Sequence, residues 1–465
     1  MSAFTQLAEH AGELTRVFEQ ARQRAAGQGA PVLASYALEI GELDLLELFC
    51  KADRPHAESL FWRAADGGRS LFGWGVAAQL NGTGEQRFAT VDRQWQHWLQ
   101  SAVIHGPQPP AICGGFRFDH QVAASEAWQG FGDGSMLLMT LLLVRDGEQC
   151  WLVCQQRIGA TDDAASRCEH VLNEWYGLMD HYLSPAASTV APRHTGDRCL
   201  PRAAWESKVA HALDVLHDTA LKKVVLAREV HSEFSHAVSP GRTLARLASN
   251  DPAAYLFAFR RQQACFIGAS PERLAKLHDG RLQTLALAGT SRRDPDPQRD
   301  AELARALLDC KKNRHEHAVV VQIIQSDLAP WVDRLRVPES PSIQRLSRVQ
   351  HLSTVIDGQL RPNASLLQVV ATLHPTPAVG GHERRQAMEH IRQFEGFDRG
   401  WYAAPLGWLD ARGNGEFIVG LRSALLNGRQ ASLFAGCGIV QCSDPASEYE
   451  ETCIKLAGMQ AALQA

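Results

Sequence analysis

Apolar and polar positions divide the chain into strand-like and helix-like stretches. Ser70 to Leu80, Gln149 to Gln155, Lys223 to Val230, Ala254 to Arg260 and Cys265 to Ala269 read as strands. Two late strands are expected at Glu416 to Leu426 and at Ala431 to Ala435. Helices are expected from Ala203 to Thr219, over one long stretch from Gln298 to Leu328, and from Pro445 to Leu463. Met1 to Arg24 carries Glu9, Glu13 and Glu19 among its apolar residues. It therefore reads as an amphipathic helix and not as a secretory signal, which needs an uninterrupted apolar run. One seam interrupts the pattern, from Pro185 to Pro201, rich in Pro, Ser and Thr and without apolar periodicity. It separates an N-terminal part, 1–200, from a second part, 201–465. Strands in neighbouring runs with helices grouped between them predict an α+β fold of stacked antiparallel sheets covered by helices.

Composition narrows the function classes. Apolar residues make up 45% of the 465 and charged residues 21%, enough for a large core. A formal net charge of -4 offers no basic field for nucleic acid or an acidic membrane surface. No apolar run reaches the length of a membrane span. The 11 cysteines are scattered without a CxxC pair, as expected of free thiols in a reducing cytoplasm.

Chemistry enters at a few positions. Glu316 precedes Val319, Val320 and Ile323 by three, four and seven positions, which puts its carboxylate on the apolar face of the long helix. A charge there either pairs with an arginine at the edge of the stripe or holds a metal. Glu448, Glu451 and Lys455 form one stripe of the last helix, which Asp444 and Pro445 start well. That stripe is either a solvated face with an ordinary Glu451–Lys455 pair or half of a site. If Glu316 and Glu451 converge, they make an oxygen-only site suited to magnesium. Gly436-Cys437-Gly438 follows a strand, as a tight turn or as backbone open to an anion. Lys223 heads the apolar run Lys-Val-Val-Leu-Ala-Arg, either as a solvated strand end or as a desolvated amine able to act as a base. Glu272 lies in a turn after a strand, as an acid or as a helix-start glutamate.

Taken in order, these segments resemble the chorismate-utilising enzymes, the family of anthranilate, aminodeoxychorismate, isochorismate and salicylate synthases. The matching stretches are KVVLAR at 223–228, GASPERL at 268–274, ALAGT at 286–290, KNRHEH at 312–317 and VQHLST at 349–354. LHPTPAVGG at 373–381, GWYAAPLGW at 400–408, LRSALL at 421–426, AGCGIV at 435–440 and SEYEETCIKL at 447–456 follow. FGWG at 72–75 and GGFRFD at 114–119 match more loosely. The likeness is closest to the isochorismate synthases that feed salicylate siderophore pathways.

The resemblance implies one large α+β domain of two face-to-face antiparallel sheets, with the seam a connection inside it. It implies chorismate as substrate and magnesium as cofactor. Lys223 would activate water for attack at C2, and Glu272 would protonate the departing C4 hydroxyl. Base and acid on opposite sides suit attack and departure at opposite ends of one conjugated system. Glu316 and Glu451 would hold the metal, with Glu448 close by. Tyr402, Arg422, Lys455 and the N–H groups around Gly436 and Gly438 would bind the carboxylates. Gly289, Thr290, His351, His374 and Ala378 would line the pocket. Ala288 stands where aminodeoxychorismate synthases carry a nucleophilic lysine, and ammonia-using members generally lack a match for Lys223. Both features point to water as nucleophile, with no glutaminase subunit. A salicylate synthase, which also eliminates pyruvate, and a non-catalytic family member are the competing readings.

Overall fold

Alternation of side chains across each strand decides how the layers stack. In the computed structural model, which describes residues 3–52, 58–185, 191–346 and 349–464, the strand Tyr255–Arg261 sends Phe257 and Phe259 into one core. Leu256 and Ala258 enter a second core on its other face, the period of two of a pleated strand. Its antiparallel neighbours Ser59–Arg63 and Ala264–Ser270 obey the same rule: Leu60, Trp62 and Phe266 join the first core, Phe61, Cys265 and Ile267 the second.

From Ala264–Ser270 the pairing runs through Ser423–Asn427 and Gln430–Ile439 to Lys223–Phe234. In the other direction it runs from Ser59–Arg63 through Arg69–Gly82 to Gly134–Asp146. There the sheet forks. Residues 141–146 pair with Gln149–Ile158, whereas 134–138 pair with Ala111–Phe116 and begin a second limb. That limb continues through Pro405–Asp410, Gly415–Val419, Arg273–His278 and Arg281–Arg292 to Val349–Leu360. The two limbs face each other across the first core, where Trp62, Phe257 and Phe266 meet Phe116, Leu406 and Phe417. Helices Ala11–Gln28, Ala164–Leu183, Pro240–Asn250 and Pro445–Gln464 cover the second core from outside. The expected layers are thus two limbs of one hydrogen-bonded network. Among the described pairings only Val32–Ile40 with Val103–His105 is parallel.

Several sequence expectations need correction. The expected first helix is two, Ala3–Glu9 and Ala11–Gln28, broken at His10. The long helix is two, Pro297–Asp309 and Lys311–Leu328, separated by extended backbone at Cys310. No glycine or proline marks the break; burial of Val320, Ile324 and Leu328 sets the second helix's direction and overrides local propensity. The strand expected from Glu416 to Leu426 is also two. Gly415–Val419 belongs to one limb and Ser423–Asn427 to the other, and residues 420–422 cross between them with Arg422 at φ 50°. The last strand does not end before Gly436 but runs from Gln430 to Ile439.

The seam holds a strand, His194–Cys199, exposed along its length and paired with Lys223–Phe234. That exposure explains its lack of apolar rhythm. Sheet pairings join the parts on either side of it, Ser59–Arg63 with Tyr255–Arg261 and Ala111–Phe116 with Pro405–Asp410. Residues 186–190 of the seam, and Met1 and Ser2 of the expected first helix, lie outside the described residues. No described helix is long and apolar enough to cross a membrane.

Candidate active site

The Lys223 strand is buried from Val224 to Ala227, so its apolar run anchors the backbone and leaves the lysine at its mouth. The side chain is 13% exposed, and Nζ lies 3.0 Å from Glu316 Oε1. Glu316 reaches it from the helix Lys311–Leu328 on the second limb. The edge charge therefore pairs with a lysine and not with an arginine, one of the two alternatives its position offers.

Glu272 sits between two strands, and no helix starts there. Its N–H donates to Ser270 Oγ at 3.2 Å, and its carbonyl accepts from Val419 N at 3.0 Å. Alternation sends the next residue the opposite way: Arg273 Nε donates to buried Glu416 at 2.9 Å. The Glu272 carboxyl is 5% exposed, with Thr376 Oγ1 3.5 Å from Oε1. Burial pushes it up to about 7, against the pull of Thr376, Lys223 and Lys455.

Between the limbs lies a cavity of about 420 Å³. Lys223, Glu272, Gly289, Thr290, Glu316, His351, Ala378, Tyr402, Arg422, Gly436, Gly438, Glu448, Glu451 and Lys455 all line it. Gly289, at φ 77°, marks a bulge between Ala288 and Thr290, which sets Thr290 Oγ1 3.0 Å from His351 Nδ1. Burial, then Arg422 and Lys455, push His351 down to about 3, so its ring is neutral. Burial lowers Arg422 and raises Tyr402, whose ring stacks on Phe434 at 5.1 Å.

On the last helix, Asp444 accepts from Ser447 N at 2.8 Å and fixes the start. Lys455 Nζ bridges Glu451 Oε1 at 2.7 Å and Gly436 O at 2.8 Å. Burial works against ionised Glu451, but Lys455 prevails and holds its carboxyl below the ordinary value. Burial, reinforced by the charge of Glu451, raises Glu448.

His374 is the exception. Its ring is buried, with Nε2 2.9 Å from Phe118 O and the Phe118 ring edge-on at 5.6 Å, away from the cavity. The glycine pair is corrected too: Gly436 and Gly438 stand in paired strand, opposite Ala227 and Val225, and not in a turn.

A family model described as chorismate binding enzyme matches residues 19–464. The chain belongs to the chorismate-binding enzyme family. It is 42% identical over 465 residues, 100% of this chain and 97% of the other, to the salicylate biosynthesis isochorismate synthase of Pseudomonas aeruginosa. It is 34% identical to an isochorismate synthase of Bacillus subtilis, over 93% of each chain. The solved structure of the menaquinone-specific isochorismate synthase from Escherichia coli superposes with a TM-score of 0.78 at 26% identity, over 97% of this chain and 100% of that one.

Within this family member, sequence reasoning missed Arg399. The guanidinium lines the cavity, is paired bidentately with Glu395, and donates to Val225 O at 2.8 Å and Val379 O at 3.0 Å. Glu395 in turn accepts from Ala227 N at 2.7 Å. The pair ties the Lys223 strand to the loop bearing Ala378. The GGFRFD stretch secures the same segment, with Arg117 donating to Asp398 at 2.6 Å and Asp119 accepting from Arg392 at 2.6 Å. Its signal was the Glu-x-x-x-Arg spacing, which an ordinary surface helix pair shares.

Glu316, Glu448 and Glu451 fit magnesium in kind: hard oxygen donors that line one cavity, Glu316 from the helix Lys311–Leu328 and the other two, mutually repelling, from the last helix. Among the described residues no three acidic, His or Cys groups are gathered as a ready-made metal cluster; Glu316 pairs with Lys223 and Glu451 with Lys455.

Proposed function

We propose that this chain is an isochorismate synthase, adding water to chorismate at C2 and expelling the C4 hydroxyl. The observation that carries the reading is the cavity that Lys223 and Glu272 share, reached from different strands of the sheet network. The named relatives support it. A carboxyl raised to about 7 still holds its proton in about half the molecules at pH 7 and can protonate a leaving hydroxyl. Lys223 takes the proton from the attacking water. One water enters and one leaves, so the sum is an isomerisation. Arg422, Lys455 and Tyr402 supply cations and a phenol for the substrate's two carboxylates. Glu316 and Glu451, with Glu448 beside them, would hold magnesium, whose charge would neutralise the ring carboxylate. Ala288 on the cavity wall leaves no amine there for covalent attack. Salicylate and siderophore supply is the pathway proposed for the product.

The test is to incubate purified protein with chorismate and magnesium and identify the product by chromatography. Isochorismate is expected. Salicylate with pyruvate would make it a salicylate synthase, anthranilate or aminodeoxychorismate in ammonium salts would move it to another branch, and no turnover would leave a non-catalytic relative.

A further inference from the structure

Gly438 is the penultimate residue of the paired strand Gln430–Ile439, where a glycine gives up packing and conformational entropy. Its backbone does not require it, because its φ lies outside the left-handed region in which other glycines of the chain sit. The reason lies across the ladder. Gly438 pairs with Val225, so Lys223, two residues before Val225, is its diagonal neighbour on the same face. Long side chains reach such neighbours. A Cβ on Gly438 would lie 2.6 Å from Lys223 Cε and 3.2 Å from Nζ. The lysine therefore lies flat over Gly438 on its way to Glu316, 3.0 Å from the amine. On the other edge of the Lys223 strand, Gly381 pairs with Val224 and His382 with Lys223, so the strand's backbone is held by ladders on both sides. What can yield is the flexible end of the lysine.

We propose that Gly438 is a positioning residue for Lys223: its missing side chain is the seat that holds the amine in the cavity. This rests on Lys223 being the base of the proposed reaction. It differs from a role for the Gly438 N–H in binding a carboxylate, because a seat acts through Lys223 alone. An alanine at 438 fits the backbone, pushes the amine aside and leaves the carboxylate-binding groups in place.

The experiment compares Gly438→Ala, Lys223→Ala and the double variant for kcat and KM on chorismate, with thermal melts of each. Gly438→Ala is expected to lower kcat on the order of 100-fold, the scale of losing a positioned base, with KM little changed. In the Lys223→Ala background the same substitution should cost nothing further. Additive losses, a raised KM with kcat retained, or wild-type turnover in Gly438→Ala would each overturn the proposal. If Lys223→Ala itself turns over normally, the base assignment falls, an outcome distinct from failure of Gly438→Ala alone. Should Gly438→Ala not fold, the double variant is expected to fold, since its alanine occupies space that the lysine has vacated; a double variant that also fails to fold overturns the steric argument.

Discussion

Glu272 shows what burial does to one group. Its carboxyl rises from 4.5 to about 7 because the site gives its charge little solvent, more than Thr376 and two lysines return. As the acid of the reaction it works protonated, so kcat should fall as pH rises through about 7. Glu272→Gln should lose on the order of 100-fold or more and abolish that limb of the profile. The same shift enters stability. A carboxyl raised on folding contributes stability that is complete below its unfolded value and is lost as pH rises through its folded one. Glu272→Gln should therefore gain on wild type between pH 5 and pH 8, by about 3 kcal/mol at most, read from urea midpoints. Glu451 answers to a cation instead. Glu451→Gln should keep its fold and lose magnesium-dependent turnover, and full activity after EDTA and magnesium readdition would refute the ligand assignment. Lys223, Glu272 and the acidic stripe stood out in sequence as charges beside apolar runs, but only the family resemblance chose a site over a strand-end lysine, a helix-start glutamate and a surface pair. The place of His374 was not legible: likeness of sequence carries a residue's identity but not the direction of its ring.

At the scale of elements, the cavity wall is held by a buried ion pair. Arg399 and Glu395 clasp the Lys223 strand through Val225 and Ala227 and the neighbouring loop through Val379. Removing one partner strands the other charge in the interior. Arg399→Met should cost about 3–5 kcal/mol in urea unfolding, well above the change expected at an exposed pair such as Arg202–Glu206. Strands were readable wherever burial was continuous, as in Val224 to Ala227. The break at Cys310 was not, since it is imposed by the sheet on which the second helix lies. Nor was the crossing at residues 420–422, because apolar strands on both sides of it read as one.

Across the whole molecule, the limbs diverge from the strand Gly134–Asp146 and meet again where residues 420–422 pass from one to the other. Strands in neighbouring runs, with helices grouped between them, foretold stacked layers. That pattern could not foretell that they are one network, because a fork is a property of pairing partners and not of any strand's own sequence. The crossing carries a cost in its last residue. Arg422 holds φ 50°, where a side chain crowds its own backbone, and burial also works against its charge. Arg422→Gly should raise stability by about 1 kcal/mol in urea while chorismate turnover collapses. A lineage selected only to survive heat would find that exchange early, and would inherit a sturdier scaffold that had forgotten its reaction.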